Sequence, residues 1–350
     1  MIGVQPARKR AAGSLLPLLC LLALFVLPSP ARAAALRVVV LTDSAGLGDK
    51  GFNDVCWKGV QAAQKDFGAS AQFIQSREQA DYVSNLTLAA QRADVIVTLG
   101  YLYVDAVKQV APRFPSIRFI HIEGEIPGEN VACFDFKSEE GGFLAGLTAG
   151  LFTKSLKVGM VSGMNIPPVE AYVAGFRSGT KTAEKLRGKA METIVASAGS
   201  FNDPVKGKSL ARALIDKGTD VVFRAAGNTG IGVLEAVRNA KGVYLIAEDL
   251  DLDDEFPGKV LVSTLKRMDT AVYGALKDIH NGSFKPGHRR LGLAEGGVGI
   301  TDMKHSRTLF DPGDLERIQR ARTLLEQGKF TVPVRESEVE GFQPPALDPQ

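Results

Sequence analysis

Cysteine and histidine are scarce in this chain, and their scarcity removes whole classes of chemistry. Among 350 residues there are three cysteines and four histidines. None of His121, His280, His288 and His305 stands in ligand spacing with another histidine or with a cysteine, so no metal site and no redox motif is expected. Cys56 and Cys133 lie far apart without framework spacing and read as small buried hydrophobes rather than a bridge. There is no nucleophile elbow, internal repeat, low-complexity tract or Pro-rich linker, which leaves covalent catalysis and flexibly tethered domains without support. A strong excess of one charge is missing too. The formal charge is +3, and removing residues 1–33 takes away Arg8, Lys9, Arg10 and Arg32 with no acidic residue, leaving −1. Nothing in that balance points to nucleic acid.

What is present begins with an export signal. Arg8, Lys9 and Arg10 precede an apolar segment from Leu15 to Leu27, and Ala31-Arg32-Ala33 supplies an A-x-A cleavage site. The apolar core runs about 13 residues, short of the roughly 20 that a spanning helix needs. Cleavage near Ala33 and a periplasmic mature protein are expected. Cys20 lies inside the core behind Leu19, where a lipid-attachment cysteine would want a small residue, so no lipid is expected there.

The mature length exceeds a comfortable single core and calls for two domains. Short apolar runs at Leu36–Leu41, Ala71–Ile74, Val95–Leu99, Arg118–Ile122, Lys157–Val161, Val221–Ala225, Val243–Ala247 and Val260–Thr264 alternate with helical patterns. That alternation predicts an α/β chain of parallel sheets with crossover helices. Trp57, Val60, Gln64 and Phe67 recur at helical spacing, and Gly141–Phe152 reads as a small-residue helix suited to close packing. The tail from Glu336 reads as an irregular surface segment.

Four constellations fall at strand ends, where open α/β sheets bind ligands. The first, Asp43-Ser-Ala-Gly-Leu-Gly-Asp49-Lys50-Gly51-Phe52-Asn53-Asp54, offers carboxylates, a cation, an aromatic face and an amide in one loop. Taken alone it serves equally as a solvated loop in which Asn53 or Asp54 caps the next helix. The second is Ser200-Phe201-Asn202-Asp203-Pro204. The third is Ala226-Gly227-Asn228-Thr229-Gly230, whose backbone N–H groups suit a ligand oxygen. The fourth is Glu248-Asp249-Leu250-Asp251, followed by Lys266.

At these residues the chain resembles the basic membrane protein family, the solute-binding subunits of ABC transporters that include purine nucleoside receptors. The resemblance rests on Asp49-Lys50-Gly51-Phe52-Asn53 with Trp57, Glu140-Gly-Gly-Phe-Leu-Ala-Gly146, Asn165-Ile-Pro-Pro168 with Gly175-Phe176, Ser200–Pro204, Gly227-Asn-Thr-Gly230 and Leu265-Lys266-Arg267. It implies a type I periplasmic-binding-protein fold, two doubly wound parallel-sheet lobes joined by a three-strand hinge. One lobe would span 36–134 and 249–283, the other 135–248 and 284–345. Position by position, the resemblance makes Phe52 and Phe201 the aromatics that sandwich a base, and Asp43 and Asn53 the groups on its edge. Gly227, Asp249 and Lys266 would hold the ribose, and Asp49 and Lys50, in the loop of Asp43 and Phe52, together with Glu123 are further expected ligand-binding residues. Glu123 stands where the family tends to have Asp, and Glu248-Asp249-Leu250-Asp251 replaces Val-Asp-Ser-Asp.

The expected protein is a monomeric, non-catalytic receptor without cofactor that delivers a purine nucleoside or base to an inner-membrane ABC permease. Two other readings share these residues. One is an exported nucleoside hydrolase working through Asp43, Asp49 and Asp249; the other is a sensory module feeding a membrane partner.

Overall fold

A computed structural model describes residues 1–5, 7 and 35–348 of the chain. The apolar core of the export segment, Cys20 and the cleavage site at Ala31–Ala33 lie outside the described residues. From Ala35 onward the chain builds two sheets. The first lobe opens with β1 (Arg37–Thr42), α1 (Phe52–Phe67), β2 (Ser70–Gln75), α2 (Tyr82–Ala90), β3 (Val95–Leu99), α3 (Val104–Val110), β4 (Arg118–Ile122) and β5 (Val131–Phe136). The second contributes α4 (Ser138–Phe152), β6 (Lys157–Ser162), α5 (Pro167–Arg187), β7 (Glu192–Ser197), α6 (Pro204–Asp216), β8 (Val221–Ala225), α7 (Thr229–Asn239), β9 (Tyr244–Ala247) and β10 (Val260–Lys266). The chain then returns to the first lobe for α8 (Met268–His280) and β11 (Gly287–Leu291), and ends in the second with β12 (Val298–Ile300) and α9 (Pro312–Glu326).

All eight apolar runs read from the sequence fall on strands, with Leu36 and Val243 just outside them; the edge strand β2 is largely exposed, whereas in the central strands the runs are unbroken because helices cover both faces. In β3, for example, every residue is buried. The strands without such runs escape a reading by composition. In β11, Gly-His-Arg-Arg-Leu has no buried residue and becomes a strand only by pairing in parallel with β5, Gly287 opposite Ala132.

The sheets run β2-β1-β3-β4-β5-β11 and β7-β6-β8-β9-β10-β12. Every neighbouring pair is parallel except β10 with β12. The two sheets thus share one strand order although the sequence shows no repeat. In each, the order reverses direction beside the first strand, which opens a crevice at the carboxyl ends of the strands.

The lobe boundaries differ from those expected. β10 pairs with β9 and β12, so the second lobe runs on to Lys266 instead of ceding at 249; β11 pairs with β5, so the first lobe extends to Leu291 instead of ending at 283. The chain crosses between sheets three times, after Phe136, Lys266 and Leu291. The crossings are tied together by Lys137 N–H to the Leu291 carbonyl at 2.9 Å and Arg267 N–H to the Gly297 carbonyl at 2.8 Å. Three short connections held side by side form a hinge that permits rotation of the lobes but not their separation.

The small-residue helix is α4, buried along its whole length. A Cβ at Gly146 would lie 2.0 Å from the Phe176 carbonyl oxygen on α5, so only glycine permits that helix contact. Cys56 and Cys133 are free and buried. The tail from Glu336 is irregular and mostly exposed, as expected, but two of its side chains anchor it to the body of the lobe. Phe342 and Leu347 are buried, and Phe342 packs edge-on against Phe143. Lys181 ties the irregular tail to α5 through the Val339 and Glu340 carbonyls.

Candidate functional site

A cavity with about 570 Å³ of space between atoms opens where the carboxyl ends of both sheets meet. That space includes the open mouth of the cleft; the enclosed volume that the centre of a water-sized sphere can occupy is about 60 Å³. Its wall contains Asp43, Asp49, Phe52, Asn53, Glu123, Phe201, Gly227, Asp249 and Lys266, nine of the ten residues singled out from the sequence. The tenth, Lys50, is not on the wall.

The first-lobe wall is shaped by the loop that follows β1. Asp49 is fully buried, and both its oxygens are occupied by backbone. Oδ1 accepts N–H groups from Gly51 at 3.0 Å and Asp54 at 3.2 Å, and Oδ2 accepts from Asn53 at 2.9 Å. Asp49 therefore caps the free donors at the start of α1, the task that Asn53 or Asp54 was expected to perform. Asp54 instead closes the loop, accepting from Gly48 N at 2.7 Å and Lys50 N at 3.0 Å. Burial pushes the Asp49 carboxyl up to about 6 against these hydrogen bonds. Asp43 accepts the Ala45 N–H at 3.0 Å, and burial raises its pKa too. Lys50, in a left-handed conformation with φ 51°, turns its side chain away from the cavity to pair with Glu255 of the second lobe. Its backbone carbonyl accepts from Arg224 of β8. The cation expected at the ligand thus stands at the seam between the lobes.

The two phenyl groups come from opposite lobes. Phe52 is the first residue of α1, with Gly100 beside its ring. Phe201 sits in the loop between β7 and α6, its ring seated on Gly163, where a Cβ would lie 2.3 Å from the ring carbons. Its carbonyl accepts the Thr229 N–H at 3.0 Å, which pins that loop to the start of α7.

Charged groups complete the wall. Lys266, at the end of β10, places Nζ 2.6 Å from Glu123 Oε1 across the cleft and 3.8 Å from Asp249 Oδ1 in its own lobe. Burial works against the ammonium, yet Asp249 and Glu123 together outweigh it and hold Lys266 well above lysine's usual value. The same ammonium lies 5.8 Å from the centre of the Phe52 ring and 4.8 Å from that of Tyr172. Tyr172 Oη donates to Asp249 Oδ1 at 2.7 Å. Glu123 and Asp249 have φ of 67° and 63°, a conformation that L residues seldom adopt, and such strain is found where a site aims its side chains.

Three residues of consequence were not among those singled out. Tyr172 left no local signal, since its partner lies 77 positions away. Glu248 sat in a motif already read; it accepts N–H groups from Ala226 at 2.9 Å and Gly227 at 3.0 Å, and burial together with Asp249 pushes it up to about 8. Arg224 had a legible sign, a guanidinium inside the apolar run Val221–Ala225, and it is among the largest fully buried side chains.

The family described as ABC transporter substrate-binding protein PnrA-like matches residues 36–327. A CD4+ T-cell-stimulating antigen of Listeria monocytogenes is 30% identical over 321 residues, covering 85% of this chain and 87% of that protein. The ABC transporter nucleoside-binding protein BmpA of Lactococcus lactis is 29% identical, covering 85% and 89%. Among solved structures, an ABC transporter solute-binding protein from Aeropyrum pernix K1 superposes with a TM-score of 0.82 at 26% identity, over 87% of this chain and 96% of that one. With the sheets, hinge and interlobe cavity in place, this chain belongs to the Bmp family of ABC transporter substrate-binding proteins, receptors that hand a small molecule to a permease.

Proposed function

We propose that the protein is exported, cleaved near Ala33, and holds a purine nucleoside between its lobes for an inner-membrane ABC permease, acting as a monomer. The observation that carries this reading is the pairing of one phenyl from each lobe, Phe52 and Phe201, on the wall that also holds the Glu123–Lys266–Asp249 cluster. A purine has two apolar π faces, which aromatic side chains cover, and a ribose has hydroxyls that charged groups bind about twice as strongly as neutral ones do. The name of the Lactococcus lactis relative, a nucleoside-binding protein, supports the same ligand class. Binding rather than hydrolysis is supported by the state of the carboxylates. Asp49 is occupied by three backbone N–H groups, and Asp249 by Tyr172 and Lys266.

Calorimetry with matched nucleosides and free bases tests the assignment. A ribose adds hydroxyl hydrogen bonds to the charged Asp249 and Lys266, each worth about 1.5–3 kcal/mol, and a free base forgoes them, so each nucleoside should bind far more tightly than its base. Equal affinity for base and nucleoside would remove the ribose from the site.

A further inference from the structure

One side chain on the first-lobe wall is buried, lines the cavity and has an oxygen without a partner. Asn53 is 2% exposed and lines the cavity, and its Oδ1 has no hydrogen-bond partner among the described residues. Leaving an amide oxygen buried and unmatched is costly, so it marks a place where a ligand donor belongs. The residue has little freedom to turn away. Its backbone N–H is held by Asp49 at the start of α1, and its side chain lies close enough to Asp43 to steady that carboxylate against burial. Because a carboxylate only accepts, the amide turns its N–H toward Asp43 and leaves its oxygen for the cavity. Asp43 keeps acceptor capacity of its own, since the Ala45 and Gly46 N–H groups and the Asn53 amide take three of the about four acceptor positions that a carboxylate offers.

We infer that the Asp43–Asn53 wall selects a ring edge rich in adjacent N–H donors, ranking a 2-amino-6-oxopurine above a 6-oxopurine and both above a 6-aminopurine. The inference rests on the purine nucleoside reading and deepens it. The chemistry of the three edges sets the order. A 2-amino-6-oxopurine carries N1–H and a 2-amino group side by side, three hydrogens for Asp43 and Asn53 Oδ1 to accept. A 6-oxopurine keeps N1–H alone. A 6-aminopurine puts a lone pair at N1 beside its amino group, and that lone pair faces acceptors.

Calorimetry on the mature protein with guanosine, inosine and adenosine decides it. Guanosine should bind at least about tenfold more tightly than adenosine, the size of one hydrogen bond to a charged group, with inosine between them. In Asp43→Asn the new amide can donate to N1 of adenine, so the guanosine preference should shrink to parity or reverse while the circular dichroism melt stays in place. Equal affinities of the unmodified protein for all three, or adenosine in the lead, would overturn the inference and leave the nucleoside assignment standing. Binding of none of the three would instead overturn the nucleoside assignment, and this inference with it. The ranking on unmodified protein is decisive even if the variant does not fold.

Discussion

The two walls of the cleft are built by different means. The first-lobe wall is local: Asp49, Asp54 and Asp43 fold one loop around their own neighbours, and each accepts from backbone N–H groups within six residues in the chain. The second-lobe wall is assembled from afar. Tyr172 meets Asp249 across 77 positions, and Glu248 reaches back to Ala226 and Gly227 over 22 and 21. Lys266 joins the walls by bonding Glu123 across 143. A wall held by its own turn keeps its shape whether the lobes are open or closed. One held by opposed charges is complete only on closure, which lets a ligand that touches both lobes bias the hinge.

That contrast breaks most sharply at Lys266. In Lys266→Met a carboxylate from each lobe is left facing the other in a buried site, and removing one partner of a buried ion pair costs about 3–5 kcal/mol. The loss should fall on the closed state, seen in calorimetry at pH 8 as guanosine binding weakened more than about a hundredfold, with a much smaller change in thermal unfolding. A variant within tenfold of the parent would show that the walls close without the charge cluster.

Glu248 gives an intermediate effect that sharpens the same point through pH. Burial and Asp249 raise its carboxyl from 4.5 to about 8, so between those values the native state holds a proton that the unfolded chain has lost. Stability therefore rises as pH falls through 8 toward 4.5 and declines as pH rises through that window, opposite to the usual carboxylate. Urea unfolding at pH 5.5 and pH 8.5 should show the decline, and Glu248→Gln should flatten it. A Glu248→Gln variant as pH-sensitive as the parent would move the dependence elsewhere.

The smallest change is expected on the local wall. Asp49→Asn keeps the shape but exchanges one acceptor for a donor, so at least one of three backbone N–H groups loses its partner, at about 0.5–2 kcal/mol of stability. Urea unfolding should record that loss while guanosine affinity moves by no more than a few-fold. A larger fall in affinity than in stability would make Asp49 a ligand group after all.

The same division explains how much could be read in advance. Strand runs such as Val95–Leu99 and Val221–Ala225 were legible because burial on both faces demands unbroken apolar sequence. The loop from Asp43 to Asp54 was legible as a site because its polar residues act within the loop itself. Lys50 was misplaced for the complementary reason: its composition fitted a ligand contact, but Glu255 and Arg224, distant in sequence, draw it to the seam. The lobe boundaries slipped at β10 and β11 because a strand's sheet is set by its pairing partner and not by its own residues. By itself the sequence determined the α/β class and the strand-end placement of the site, properties of local periodicity and residue chemistry, and through the motifs that carry the family resemblance it pointed to nine of the wall residues. Only the tertiary structure decided which lobe each late strand joins, that Asp49 serves the backbone, and that Lys266 bridges the cleft, because hydrogen-bond pairing and charge compensation act between groups that the chain alone keeps far apart.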